Sequence, residues 1–212
     1  AVWGAARMLL EMHVQFDIID RHSDFSKYRL IVIPDVMKAD LTLARKLDSY
    51  AAGGGGIFFS WKACMDEKRN RCVLKNVAWR TKGMTETTVN YIRLRENFRS
   101  FIPQYDYVIR HPFMQVEKAG NDVVSASIVE PYFERTPEHF TSHHHSPPYK
   151  TGKFPAILKR KNIIYCAAPL FTAYHADGDT HNRNIFELCV RKLLTDRMLE
   201  LENYPCVETS IT

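Results

Sequence analysis

Apolar residues recur every three or four positions over the first nineteen residues, which predicts an amphipathic helix over residues 4–19. The small residues Gly4, Ala5 and Ala6 would allow this helix to pack closely on a sheet. In an alternating α/β chain, a strand normally precedes such a helix. We therefore expect a first strand upstream of Val2.

An apolar run rich in β-branched residues follows, and it predicts a strand over Leu30–Ile33 that is covered on both faces. Asp40 is a suitable N-cap for the next predicted helix, Leu41–Ala52. Four glycines at positions 53–56 end that helix and lead into a second predicted strand, residues 57–60. Phosphate-binding glycine loops have the opposite order, because they follow a strand and open a helix. The glycine run is therefore interpreted as a helix end and a turn.

The middle of the chain has a less regular pattern. Residues 62–88 are polar and charged, and we interpret them as a loop with a short helix. Shorter alternating runs predict strands over residues 87–94, 113–116 and 123–129. Some of these strands are expected to form antiparallel extensions and not to be members of the main sheet.

The sequence pattern in the last third of the chain predicts a hairpin and a helix. Residues 155–159 and 162–168 are strand-like and are joined by a basic turn. A polar loop then leads to an amphipathic helix over residues 183–201. The pattern as a whole predicts a three-layer α/β fold, with a mostly parallel sheet and helices on both faces. We expect one domain over residues 1–201 and a tail, 202–212, that leads towards a following domain.

The composition and charge of the chain limit the classes of molecule that it could bind. With 212 residues, 45% hydrophobic and 25% charged, the chain has an ordinary globular composition. The net charge is +5 and the basic residues are scattered, so no nucleic-acid partner is indicated. No apolar run approaches about 18 residues, so no membrane span is predicted. No motif indicates a cofactor.

The cysteines are odd in number and lack C-x-x-C spacing, which favours reduced thiols and a cytoplasmic location. They are Cys64, Cys72, Cys166, Cys189 and Cys206.

The stretch from position 131 to 150, PYFERTPEHFTSHHHSPPYK, concentrates chemically active side chains between four prolines. Prolines exclude a long helix or a central strand here. Two interpretations remain open: a stiffened surface that meets another molecule, and a solvated structural loop. The candidate contact residues are Tyr132, Phe133, His139, Phe140, His143, His144, His145 and Tyr149.

Two catalytic interpretations of this stretch are weaker. His139 and His143 have the i, i+4 spacing of zinc ligands on a helix. However, three consecutive histidines cannot all face one ion, and the prolines bracket the stretch, so no metal site is predicted. Two of the residues Glu130, Glu134 and Glu138 could form the carboxylate pair of a glycosidase, but their four-residue spacing is simpler to explain as a solvated edge.

Several segments in the same order resemble one known module. They are GAARMLLEMHVQFDIID, YRLIVIPDV, LDSYAAGGGGIFFS, VEPYFERTPEHFTSHHHSPP and NIIYCAAPLF. Together they are similar to the β-galactosidase trimerisation domain of family 42 glycoside hydrolases and related bacterial enzymes, some of which are α-L-fucosidases. The resemblance implies a flavodoxin-like fold related to class I glutamine amidotransferases. It also implies that the domain follows a catalytic (β/α)8 barrel and helps to assemble a trimer.

The related amidotransferases suggest two positions to inspect. Ser60 lies where those enzymes carry their nucleophilic cysteine, but Trp61 follows it instead of glycine. Their catalytic histidine precedes a Pro-Glu pair, whereas the matching positions here begin with Ala168, followed by Pro169 and Leu170. A serine without a base is a poor nucleophile. We therefore expect this chain alone to be catalytically inactive.

Two functions from different classes remain. One is a non-catalytic oligomerisation domain of a glycosidase, whose proline-stiffened stretch completes the rim of a neighbouring subunit's active site and contacts sugar. The alternative is a free-standing module that binds a small molecule or carbohydrate at the carboxyl ends of its strands.

Overall fold

The structure is a computed structural model that describes residues 1–66, 68, 70–196, 199–201 and 204–210. These residues form four α-helices, eleven β-strands and one 3-10 turn, Phe25–Lys27. The helices are α1 (Val2–Glu11), α2 (Leu41–Ala52), α3 (Leu170–Asp177) and α4 (Thr180–Leu193). The strands are β1 (Leu30–Ile33), β2 (Gly56–Ser60), β3 (Met65–Asp66), β4 (Arg71–Cys72), β5 (Arg80–Met84), β6 (Asn90–Leu94), β7 (Asp106–Ile109), β8 (Met114–Glu117), β9 (Val123–Pro131), β10 (Pro148–Arg160) and β11 (Ile163–Cys166).

Seven strands form one mixed sheet in the order β1-β2-β11-β10-β9-β6-β7. The first three are parallel, since Ile57 pairs with Ile31 on one side and with Ile163 on the other. The other four pairings are antiparallel, so the prediction of a mostly parallel sheet is wrong. The physical reason is that β6–β7, β9–β10 and β10–β11 are consecutive strands joined without the crossover helix that parallel pairing needs. The predicted hairpin of β10 and β11 is confirmed.

Both faces of the parallel strands are covered, which confirms the three-layer α/β fold. The ring of Phe58 lies 5.8 Å from Phe171 of α3 and 5.0 Å from Phe186 of α4. Successive side chains of a strand point to opposite faces. Phe59 accordingly packs on the other face, with its ring 5.7 Å from that of Trp79.

Helix α2 has the predicted bounds and lies on the Trp79 side. The carboxylate of Asp40 caps it by accepting the N–H of Leu43 at 2.9 Å. Asp48 of α2 accepts the N–H of Asn76 at 3.0 Å, which ties the helix to the segment that leads to Trp79. The four-glycine run ends α2 and leads into β2, as predicted.

Helix α1 ends at Glu11, so the prediction of a helix to residue 19 is wrong. His13 adopts a left-handed conformation, with φ 55°. The N–H of His13 donates to the carbonyl of Leu10, and that of Val14 donates to the carbonyl of Leu9, both at 3.0 Å. This pattern is a Schellman motif, which closes a helix and usually has glycine where His13 stands.

The small-residue face of α1 packs on α3 and not directly on the sheet. A Cβ atom added to Gly4 would lie 2.0 Å from the carbonyl oxygen of Phe171, so the two helix backbones are in contact there. The carboxylate of Glu11, at the other end of α1, accepts bonds from the hydroxyl of Tyr174 and, at 2.9 Å, from Arg183. Together these contacts hold α1, α3 and α4 as one layer.

A second sheet, in the order β3-β4-β5-β8, occupies the region predicted as loop and short helix. That prediction, for residues 62–88, is wrong. Strands β3 and β4 have two residues each and are too short to show a period of two, and in β5 only Thr81 is buried, so no alternation is visible. Trp79 is fully buried beside this sheet. Its indole N–H donates to Asp122 at 2.6 Å, and the same carboxylate accepts the N–H of Ala119 at 2.6 Å and Arg160 at 2.5 Å.

The C-terminal helices differ from their predicted bounds. The predicted helix over residues 183–201 begins earlier, at Thr180, and ends at Leu193. The preceding polar loop is largely α3, which ends at the left-handed Gly178, φ 68°. Positions 202, 203, 211 and 212 of the predicted tail lie outside the described residues, and residues 204–210 form no strand. No described helix is both long enough and apolar enough to span a bilayer.

Candidate functional site

The histidine loop, residues 132–147, connects β9 to β10 and is closed at its base. Pro131 at the end of β9 pairs with Pro148 at the start of β10. The N–H of Tyr132 donates to the carbonyl of Pro147 at 2.9 Å. No helix or strand is described between them, as the prolines predict.

Hydrogen bonds anchor the base of the histidine loop to the sheet. The buried Ser146 donates through its hydroxyl to the carbonyl of Phe133 at 2.6 Å, and its own carbonyl accepts the hydroxyl of Tyr91 on β6. The carboxylate of Glu134 accepts the N–H of Thr88 at 3.1 Å and also the hydroxyl of that residue. The loop is therefore fixed at its base and on one flank.

The structure brings some of the predicted aromatic residues together. The rings of Tyr132 and Tyr149 meet edge to face at 5.0 Å, and Phe133 stacks on His139 at 3.8 Å. Among the described residues, no ring contact joins Phe140 to this group. Tyr132, Tyr149 and Phe140 are 62%, 59% and 66% exposed. They present flat apolar faces to solvent.

The consecutive histidines divide into two exposed rings and one half-buried ring. His143 and His144 are exposed, and their carbonyls accept bonds from Thr141 at 3.1 Å and from Arg135 at 3.3 Å. Within the described chain, no hydrogen bond joins either ring to a backbone group. Both rings are therefore free to meet a partner.

His145 is the half-buried member and faces the sheet. Its ring lies 6.1 Å from that of Tyr91, and its Nδ1 atom is buried with no hydrogen-bond partner among the described residues. Burial lowers the pKa of His145, and the nearby charge of Arg110 lowers it further. At pH 7 this imidazole is neutral, so it can both donate and accept a hydrogen bond.

The geometry of the described residues matches neither catalytic interpretation of residues 131–150, the metal site or the glycosidase carboxylate pair. In the part of the chain that the structure describes, no cluster of three or more histidine, cysteine or acidic side chains could hold a metal ion. Glu130 pairs with Lys150 at 3.4 Å, and Glu134 is held by Thr88. Both carboxylates fix the surface of their own domain.

Ser60 and Ala168, the two amidotransferase positions, are both fully buried. The hydroxyl of Ser60 donates to the carboxylate of Asp35 at 2.7 Å, not to an imidazole. Thr172 of α3 donates to the same carboxylate from its N–H at 2.6 Å and from its hydroxyl at 2.7 Å. Burial raises the pKa of Asp35, and the bonds from Ser60 and Thr172 oppose that rise. This cluster ties the ends of β1 and β2 to α3.

Asp35 and Thr172 do not appear among the sequence-predicted site residues. The sequence offers one signal for Asp35, the Pro-Asp pair directly after an apolar strand. That signal does not reveal Thr172 as its partner.

A family model described as "Beta-galactosidase trimerisation domain" matches residues 7–123, which is more than half of the chain. The chain belongs to that family. The match to the trimerisation domain runs through the parallel strands β1 and β2 and the second sheet, and it ends before the histidine loop. A search of curated protein sequences finds no match.

Solved structures with the same fold include larger glycosidases. The trimerisation domain is similar to an α-L-fucosidase isoenzyme 2 from Paenibacillus thiaminolyticus, with a TM-score of 0.81 and 26% identity over 90% of this chain. It is also similar to a β-galactosidase from Rahnella sp. R3, with a TM-score of 0.62 and 13% identity over 92% of this chain. The chain spans 29% and 27% of the lengths of these two proteins.

Proposed function

We propose that this trimerisation domain assembles a glycoside hydrolase into a trimer and supplies no catalytic carboxylate itself. The observation that carries the proposal is the family match over residues 7–123. The chain spans less than a third of the fucosidase and β-galactosidase that it resembles. That difference in length is consistent with a separate catalytic (β/α)8 barrel in the parent chain.

We further propose that the histidine loop lines the active-site rim of a neighbouring subunit. Tyr132, Phe140 and Tyr149 offer exposed rings for sugar C–H groups. The neutral imidazole of His145 and the exposed ring of His143 supply hydrogen-bonding groups for sugar hydroxyls. Aromatic faces beside hydrogen-bonding imidazoles suit the C–H groups and hydroxyls of a glycoside.

The anchoring of the histidine loop supports this role energetically. A loop that becomes ordered on binding loses affinity, because side-chain and backbone freedom must be given up. Here Ser146 and Glu134 already hold the base and one flank. A neighbouring active site would therefore meet a surface that is largely formed in advance.

The test is to replace His143 and His145 separately by alanine in the full-length enzyme, with Ser142→Ala as the control. Ser142 is exposed in the same loop and carries neither an aromatic ring nor an imidazole. We expect kcat/KM for a nitrophenyl α-L-fucoside or β-galactoside to fall about tenfold or more for at least one histidine variant, which equals about 1.4 kcal/mol. Unchanged kinetics in both histidine variants, with the trimer intact, would make the loop purely structural.

The rival function, a free-standing binding module, gains less support. Open α/β sheets bind ligands outside the carboxyl ends of their parallel strands. In this domain the ends of β1 and β2 are closed by the buried Asp35, Ser60 and Thr172 cluster. Dialysis of the full-length protein followed by mass spectrometry would reveal a retained small molecule if the rival function were correct.

We also propose a cytoplasmic location for the parent enzyme. All five cysteines are free thiols, and four of them are buried. Unpaired cysteines in this number are typical of a reducing compartment. Recovery of the activity in the periplasmic or culture fraction of the source cells would contradict this proposal.

A further inference from the structure

A small cleft lies at one end of the seven-stranded sheet, where β6 leads into β7. Its volume is about 210 Å³. Pockets for drug-sized ligands have about 300–1,000 Å³, so this cleft suits a smaller ligand, such as one sugar ring. Leu94, the last residue of β6, pairs with Ala126, whereas β9 enters the histidine loop only after Pro131. The cleft therefore lies at the end of β9 that is away from the histidine loop.

The loop between β6 and β7 gives the cleft a fixed shape. Phe98 and Ile102 anchor this loop in the core and are only 4% and 5% exposed. The N–H of Phe98 donates to the carbonyl of Arg95 at 3.0 Å, and the hydroxyl of Tyr107 donates to the carbonyl of Pro103. A ligand would not have to order this loop, so little affinity would be lost to ordering.

Arg99 is the charged residue of the cleft that lacks a carboxylate partner among the described residues. It donates to the amide oxygen of Gln104 at 3.0 Å. Arg93, by contrast, forms two hydrogen bonds with the carboxylate of Asp106, both at 2.7 Å. The described lining residues carry two guanidinium groups and one carboxylate, which leaves a net charge of +1. Because the guanidinium fork of arginine matches a carboxylate, Arg99 favours a ligand with a carboxylate group.

Tyr105 supplies an aromatic surface in the same cleft. Its side chain is 53% exposed, and its ring lies 4.1 Å from that of Tyr107, which is only 1% exposed. The buried ring supports the exposed one and holds it in position. The face of an aromatic ring carries partial negative charge. It therefore attracts the C–H groups of a sugar ring and repels a bare anion.

We propose that this cleft binds a hexuronate, with the sugar ring on Tyr105 and the carboxylate on Arg99. A simple anion would leave Tyr105 without a contact, and a neutral hexose would leave the charge of Arg99 unmatched. The amide N–H groups of Gln104 have no hydrogen-bond partner among the described residues, so they and the carboxylate of Asp106 can meet the sugar hydroxyls. This binding role is separate from trimer assembly and from the active-site rim.

Isothermal titration calorimetry of the full-length protein tests the proposal with three ligands. Glucuronate has both the ring and the carboxylate, glucose lacks the carboxylate, and acetate lacks the ring. The glucose configuration is chosen because the similar structures are of a fucosidase and a β-galactosidase. We expect glucuronate to bind at least about tenfold more tightly than glucose or acetate, since a hydrogen bond to a charged group contributes that much. Glucuronate binding no tighter than that of glucose or acetate would overturn the proposal.

Two substitutions assign the binding to the cleft. Arg99→Gln and Tyr105→Ala should each weaken glucuronate binding at least about tenfold. The matched control is Arg95→Gln, because Arg95 is an exposed arginine of the same loop that does not line the cleft. Unchanged binding in both cleft variants would place the ligand elsewhere in the protein and refute the assignment. The comparison of the three ligands needs no variant, so the proposal can still be refuted if a substitution perturbs the loop.

Discussion

Replacing Ser60 by alanine should destabilise the domain in a pH-dependent manner. Ser60 donates to the buried carboxylate of Asp35 at 2.7 Å, and Thr172 supplies two further donors. A hydrogen bond to a charged group contributes about 1.5–3 kcal/mol, whereas a neutral one contributes about 1 kcal/mol. We therefore expect Ser60→Ala to cost about 2 kcal/mol in the free energy of unfolding at pH 8 and about 1 kcal/mol at pH 4.

The direction of the pH effect follows from the raised pKa of Asp35. Between the unfolded pKa, about 3.9, and the raised folded value, the folded state binds more protons than the unfolded state. Stability therefore falls as pH rises through this window. Because Ser60 favours the ionised carboxylate, its removal raises the pKa of Asp35 further and extends the fall in stability to higher pH.

Urea unfolding of the 212-residue chain at several pH values measures this effect. In thermal unfolding at pH 8, the loss should lower Tm by about 4–8 °C for a domain of this size. The matched control is Ser60→Ala in an Asp35→Asn background, where the carboxylate is absent and the cost should not vary with pH. An equal cost at pH 4 and pH 8 in the original background would refute the reasoning.

Two other substitutions test the packing. Gly4→Ala should destabilise the chain by about 1–3 kcal/mol, because its Cβ would lie 2.0 Å from the backbone oxygen of Phe171; an unchanged Tm would show that α1 and α3 are not in backbone contact. Asp122→Ala should cost about 3 kcal/mol in the free energy of unfolding, because it leaves the buried donors of Trp79 and Arg160 unpaired; a loss below about 1 kcal/mol would contradict that network.

The parallel end of the sheet could be predicted because its signals are local. The apolar run of β1, the Asp40 cap of α2 and the glycine run before β2 each lie within a few residues of the element that they specify. The end of α1 could not be predicted, because His13 takes a left-handed conformation that normally calls for glycine.

Other features depend on contacts between distant residues. Strands β3 and β4 have two residues each, so their pairing and not their sequence pattern defines them. The residues of the histidine loop could be identified from the local composition and the prolines alone. Its attachment to β6 through Tyr91 and Ser146 joins positions 55 residues apart. Asp35 is bonded to Ser60, 25 residues away, and to Thr172, 137 residues away. No local sequence pattern predicts such pairs.

The oligomeric state of the full-length protein tests the central claim most directly. Sedimentation velocity over a range of concentrations should show one species with three times the mass of the polypeptide. The same protein with residues 1–212 deleted should lose that species. A full-length protein that sediments as a monomer, or a deletion variant that remains a trimer, would contradict a trimerisation role for this domain.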